Sequence, residues 1–216
     1  MNIQITDLRA LDGDSLVAVH VLILSEDGAR DSRVYHILPA QYGALRLRVG
    51  EIGCETVDAL EAAAMLCGAI RKGMSLLSYG AQSEKNMRQK LRARGFAPEV
   101  AAEAAAYLKG QGWMNEAEDA LRLAQSCRRK HWGERRILSH LFEKGYSEAA
   151  VNEVRDALAE EDFLPDCMAL IRSRYHGVPT DRHEQQKVTA ALMRYGYSLS
   201  EIREAMSRIR EEESEE

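Results

Sequence analysis

Hydrophobic and polar positions change period once along this chain. Up to about residue 50 they alternate. Ile3 and Ile5 are separated by a polar residue, and Val17, Val19, Val21 and Ile23 share one face at period two, the spacing of a strand with one side buried. Asp27-Gly28 supplies turn chemistry, because glycine accepts positive φ without steric cost. Arg33 to Leu38 reads as the return strand, stopped by Pro39. The pattern predicts a three-stranded antiparallel meander that needs a helix over it, since three short strands bury little. Leu45 to Gly50 leads out of it. His20 and His36, one in each of two strands, read as structural rather than ligating residues.

From Thr56, a predicted N-cap, the period becomes helical. Ala62, Ala63, Met65, Leu66, Ala69, Ile70, Met74 and Leu77 fall at helical spacing. Gly68 and Gly73 lower the propensity of this helix, so packing must compensate. The chain then repeats. Leu91, Leu141 and Leu192 each stand four residues before a glycine-aromatic pair: Gly95-Phe96, Gly145-Tyr146 and Gly196-Tyr197. Met87, Ile137 and Val188 precede those glycines at one common offset, and Leu108, Leu158 and Ile209 follow at another. In one unit a first helix ends at the glycine, which can take the left-handed conformation, and the aromatic packs back on it. Pro98 suits the first turn of the next helix. Ser147 and Ser198 are predicted caps at the matching position, Ser198 with Glu201 as a capping box. Asn115 is a predicted cap for a third helix running to about His131, and Asp166 for its counterpart.

These elements give a mainly α fold. Tandem three-helix-bundle repeats are expected in an elongated curved array, preceded by a small antiparallel β module. The expected boundaries are 1–55 for the β-rich module, 56–82 for a connecting helix, 83–132 and 133–182 for two full repeats, 183–210 for a partial third, and 211–216 for an acidic tail expected to be disordered.

Composition alters this picture little. No apolar run approaches the roughly 18 residues of a membrane span. The start lacks the basic and apolar blocks of a signal peptide. A cytoplasmic protein is therefore expected. Cys54, Cys67, Cys127 and Cys167 are scattered, without the spacing of a zinc site or a disulfide framework. His131, His140, His176 and His183 also lack ligand spacing, and neither a catalytic triad pattern nor a phosphate-binding loop occurs. The reading is of a non-enzyme with no catalytic residues, no metal and no cofactor. Charge is more informative. The net −5 conceals −3 over residues 1–80, +5 over 81–145 and −7 over 146–216. A basic middle between acidic ends suggests a surface directed at an anionic partner.

Ser83, Met87, Lys90, Leu91, Gly95 and Phe96 form a pattern that resembles the opening of the first repeat in the RecX family, modulators of the RecA recombinase. Trp132-Gly133-Glu134-Arg135-Arg136-Ile137 is similar to that family's Gly-x-Arg-Arg-Ile/Leu stretch, and Ala69 to Tyr79 to the helix before the first repeat. The β-rich start followed by Leu47 and Gly50 resembles the family's longer members. The chain departs from the family at Asn86, where glutamate is usual, and at Asp119, where an aromatic is usual. Gln125-Ser126-Cys127 stands where Arg-Ser-Arg is typical. The resemblance implies a monomer that lies along a RecA filament on DNA and inhibits ATP turnover, strand exchange and co-protease activity. Single- or double-stranded DNA is a possible second partner, and no membrane is involved. Candidate contact residues are Lys85, Arg88, Lys90, Arg92 and Arg94 on one helix; Arg128, Arg129, Lys130, Arg135 and Arg136 around a helix junction; and Arg172 and Arg174. The rival reading is a helical-repeat protein that binds DNA through its basic middle without a recombinase.

Overall fold

Alternation in the first fifty residues produces a four-stranded antiparallel sheet in the computed structural model, which describes residues 2–11, 13, 15–26 and 28–215. Strands β1 (Asn2–Leu11), β2 (Leu16–Leu24), β3 (Arg30–Ile37) and β4 (Gly50–Glu51) lie in the order β3-β2-β1-β4. The expected meander is present, and the two-residue β4 adds an edge beside β1. Ile3, Ile5, Val19, Val21, Tyr35 and Ile37 bury one face. The register shifts between Ile5 and Asp7, so Leu8 rejoins that face opposite Val19. The covering helix is α2 (Cys54–Leu77), through Val57, Leu60 and Ala63. Burying each large side chain there is worth about 1.5–3 kcal/mol. Asp27, half of the expected turn, lies outside the described residues; Gly28 has φ 84°.

Two local expectations are corrected here. A helix, α1 (Pro39–Leu45), fills the stretch between the return strand and the lead-out chain, where no element was expected; Pro39 opens it, and the Gln41 side chain accepts the Leu38 N–H at 2.9 Å. The cap of α2 is Gly53 rather than Thr56, which sits inside the first turn.

Eight more helices follow: α3 (Glu84–Arg92), α4 (Pro98–Gly110), α5 (Glu116–Arg128), α6 (Glu134–Glu143), α7 (Glu148–Ala159), α8 (Leu164–Tyr175), α9 (Arg182–Arg194) and α10 (Leu199–Glu215). The three glycines read as stops have φ of 91°, 77° and 99° at Gly95, Gly145 and Gly196. Behind each, the aromatic N–H returns to the leucine carbonyl: Phe96 to Leu91 at 3.4 Å, Tyr146 to Leu141 at 3.1 Å and Tyr197 to Leu192 at 3.2 Å. This is the Schellman arrangement, which satisfies the last carbonyls of a helix. Ser147, Asn115 and the Ser198–Glu201 box cap their helices as expected. Asp166 does not cap; it lies within the first turn of α8, where Asp162 accepts the Leu164 N–H at 2.9 Å.

Packing regroups these helices. α4 packs on α2, α5 on α6 and α7, and α8 on α10. The third helix assigned to each repeat therefore serves as the first helix of the next bundle, and the last bundle has three helices rather than two. Sequence spacing fixes the period but not the phase of a repeat. The chain forms two compact units, Met1–Gly80 with Met87–Met114, and Ala81–Asn86 with Asn115–Glu216. In the first, Ala69, Ile70, Met87, Leu91, Ala104, Ala105 and Leu108 form the helical core. Gly73 is a point of close packing: a Cβ there would lie 2.5 Å from Leu108 Cδ1. In the second unit one continuous core runs through α5 to α10. Cys67, Cys127 and Cys167 are buried and Cys54 is exposed; burial pushes the Cys167 thiol up to about 12.

Residues 211–215 of the segment expected to be a disordered tail are instead the end of α10; Glu216 lies outside the described residues. Ile209 anchors that helix in the core, Ser207 donates to Glu211 at 3.0 Å, and Arg172 pairs with Glu212. Glutamate is itself a good helix former.

Gly145 carries the first stability prediction. With φ 77° and an added Cβ only 3.2 Å from Lys85 Cβ and Ser83 Oγ, Gly145→Val should cost more than about 1 kcal/mol, from strained backbone and crowding. Thermal melting tests this, and an unchanged midpoint would contradict it.

Candidate partner-binding surface

The start of α6 is set by how closely the chain passes itself. Gly133 caps α6, and its N–H donates to Tyr195 O at 2.8 Å. The two backbones touch so closely that a Cβ on Gly133 would lie 2.6 Å from the carbonyl carbon of Gly196. This approach brings the residue before Gly133 and the residue before Gly196, Trp132 and Tyr195, to one place.

Arginines stack on these two rings. The Arg136 guanidinium lies 3.9 Å from the Trp132 ring centroid and 4.8 Å from that of Tyr195. Arg174 reaches the Tyr195 ring at 5.4 Å and donates to its hydroxyl, and Lys130 lies 6.0 Å from Trp132. Such contacts are worth roughly 0.5–1 kcal/mol each at exposed sites. They leave the edges of a guanidinium open to an anion. His140 meets the Trp132 ring edge-on at 5.2 Å. The result is an open groove lined by Trp132, Arg135, Arg136, Met193, Arg194 and Tyr195, among others. Among the described residues no ion pair engages Arg129, Arg135, Arg136 or Arg194, while Glu143, also on the groove, faces His140 at 3.5 Å.

The candidate residues from the sequence thus divide. Lys130, Arg135, Arg136 and Arg174 gather around this groove. Arg129 is exposed beside it in the chain, and among the described residues its side chain has no ion-pair partner. Arg128 has a different task. It pairs with Glu161 and with Asp166 at 3.1 Å, donates to Asp162 O at 2.9 Å and covers the Phe163 ring. Those carboxylates hold its charge firmly and push its pKa up. Arg172 pairs with Glu212. On α3, Lys85 is exposed beside the Gly145 turn, while Arg88, Lys90, Arg92 and Arg94 belong to the first unit, with Arg94 donating to Lys90 O at 2.8 Å. Trp132, Tyr195 and Arg194 were missed as site residues. The available signal was the pairing of an aromatic with a following glycine at both Trp132-Gly133 and Tyr195-Gly196.

A tandem helical-repeat protein with a cationic, aromatic-lined groove is the class these features define. Residues 69–108, which hold the end of α2 with α3 and α4, match the family described as "RecX, first three-helix domain". The chain is 29% identical over 135 residues to the regulatory protein RecX of Xanthomonas campestris pv. campestris (strain B100), covering 62% of this chain and 83% of that one. It is 24% identical over 148 residues to the protein of the same name from Clostridioides difficile (strain 630), covering 67% and 69%. A crystal structure of a regulatory protein RecX superposes with a TM-score of 0.73 over 94% of this chain and 99% of the other, at 21% identity. RecX from Lactobacillus salivarius superposes at 0.58 over 68% and 98%, at 20% identity. These likenesses all point to the RecX family of regulatory proteins. No helix among the described residues is long and apolar enough to cross a membrane.

Proposed function

We propose that this protein binds filaments of a RecA-type recombinase on DNA, as a monomer in the cytoplasm, and inhibits their ATP turnover, strand exchange and co-protease activity without catalysing a reaction of its own. The observation that carries the reading beyond this likeness is the groove. Arg135, Arg136 and Arg194 stand without acidic partners around Trp132 and Tyr195. Guanidinium groups fixed in this way suit carboxylates on a filament face. The same groups suit DNA phosphates, which is the second reading.

The test is ATP turnover by the recombinase on single-stranded DNA, titrated with this protein. Arg135→Glu with Arg194→Glu should raise the concentration needed for half-inhibition by about tenfold or more, since reversing charges opposite a complementary surface costs several kcal/mol at most and tenfold is about 1.4 kcal/mol. Melting should barely move, because both side chains lack ion-pair partners. Added salt should mimic the variant. Equal inhibition by folded variant and wild type would remove the groove from the contact surface. Tight binding to free DNA with no effect of the recombinase would favour the second reading.

A further inference from the structure

Of the three recurring glycine-aromatic turns at Gly95, Gly145 and Gly196, two receive the start of another helix; Gly112-Trp113, with φ 74° and the Trp113 N–H on Leu108 O at 3.1 Å, is a fourth turn of this kind. Ser83, which caps α3, donates from Oγ to Lys144 O at 2.7 Å, directly before Gly145. Gly133, which caps α6, donates to Tyr195 O, directly before Gly196. Both incoming helices have a small cap followed by glutamate, Glu84 or Glu134. Both receiving turns are sealed: Tyr146 is 7% exposed and Tyr197 1%.

The third turn, Arg94-Gly95-Phe96, receives nothing. A Cβ added to Gly95 would meet no atom within 4 Å, and Phe96 remains partly exposed. Gly68, Arg71, Lys72 and Ser75 of α2, all exposed, complete the depression with Arg94 and Phe96. Its charged side chains are all basic. The sheet module covers α2 through Val57, Leu60 and Ala63, ahead of this stretch.

We propose that this surface receives the N-terminus of a helix of the recombinase, led by a small capping residue and acidic in its first turn. The inference rests on the function proposed above and names the mode of contact. A cap donor reaches the Arg94 carbonyl, the counterpart of the Lys144 and Tyr195 carbonyls. The first-turn carboxylate meets Arg71, Lys72 and Arg94. Phe96 is then sealed as its two counterparts are. The matching helix of the third repeat, α9, does not supply the occupant from a second copy: it is capped by Asp181, and the position matching Gly133 is Glu184, already inside that helix. There it has neither the small cap nor the free first turn.

The experiment is co-sedimentation with recombinase filaments on single-stranded DNA, using the full chain with Arg71→Glu and Lys72→Glu. Apparent affinity should fall about tenfold or more against wild type, as for other reversed charges at a complementary interface. Helicity and melting midpoint should be retained. A folded variant that binds like wild type overturns the inference and leaves the proposed function standing. Wild-type protein that fails to sediment with filaments overturns both. A photo-crosslinking residue in place of Ser75 gives the second arm. Crosslinks to the first turn of a recombinase helix beginning with a small cap and an acidic residue are the expected result. Crosslinks to DNA or to another copy of this chain overturn it.

Discussion

Gly196→Ala should lower the stability of this protein by about 2–4 kcal/mol, the sum of about 1 kcal/mol for an alanine at positive φ and 1–3 kcal/mol for overpacking. The residue sits at φ 99°, and an added Cβ would lie 2.5 Å from the Arg136 nitrogen and 2.7 Å from the Gly133 carbonyl oxygen. Both are backbone atoms, so no rotamer change relieves the clash. The cap of α6 would have to withdraw, and with it the hydrogen bond from Gly133 to Tyr195 O and the buried one from the Tyr197 hydroxyl to His131 O at 2.9 Å. For a chain of this length the melting midpoint should fall by about 10 °C, at roughly 2–4 °C per kcal/mol. Gly95→Ala is the control. Its φ is 91°, yet nothing lies within 4 Å of the added atom. It should show only the conformational part, about 1 kcal/mol. Equal losses at the two positions would mean that the close approach at Gly196 does not stabilise the fold.

That pair of glycines also shows what the sequence could and could not reveal. The helix-stopping role of Gly95, Gly145 and Gly196 was legible because it is local. A left-handed residue, the aromatic after it and the leucine four before it form one hydrogen-bonded ring within six residues. The same logic located the caps at Ser147, Asn115 and Ser198. Ring closure of this kind also occurs at Trp132, whose N–H returns to Cys127 O at 3.3 Å, but there His131 takes the left-handed position at φ 54°. No glycine announced it, and α5 was read as running on to that residue. The grouping of helices was not legible, because period alone leaves open which three consecutive helices share a core. The end of α10 was misread for a related reason: a glutamate run reads as solvated chain unless Arg172 is known to lie beside it.

The candidate surface was half legible. Basic side chains between residues 128 and 136 could be picked out by type and density. Which of them are tied to other groups of the fold could not, because that depends on Glu161, Asp166 and Tyr195, which only the fold brings near. Arg128 and Arg129 look alike in sequence. In the structure the side chain of one is held by carboxylates and an aromatic ring, and that of the other is exposed, with no ion pair among the described residues.

This difference gives the second large effect. Arg128→Glu should destabilise the protein by about 3 kcal/mol, from lost charge-assisted hydrogen bonds worth roughly 1.5–3 kcal/mol and from new repulsion. The Arg128 side chain is 29% exposed and that of Asp166 19%, so solvent screens part of the Coulomb attraction and the figure stays below that of a fully buried pair. Four partners are lost together: Glu161, Asp166, the Asp162 carbonyl and the Phe163 ring. Reversal then sets a third carboxylate beside Glu161 and Asp166, at the junction where α5 meets the start of α8. His131 Nδ1 stays 2.9 Å from Asp166. Arg129→Glu, one residue along, should change stability by no more than about 0.5 kcal/mol, as surface substitutions without partners do. Chemical denaturation of both variants separates the two roles, and melting alike would show that the Arg128 network contributes nothing. The consequence for binding experiments is direct. Weaker inhibition by Arg128→Glu reports a loosened junction, whereas weaker inhibition by Arg135→Glu at unchanged stability reports lost contact. Arg128→Met distinguishes these further, since it keeps the apolar stem over Phe163 and adds no charge. It should recover part of the stability lost in Arg128→Glu, and inhibition should recover with it.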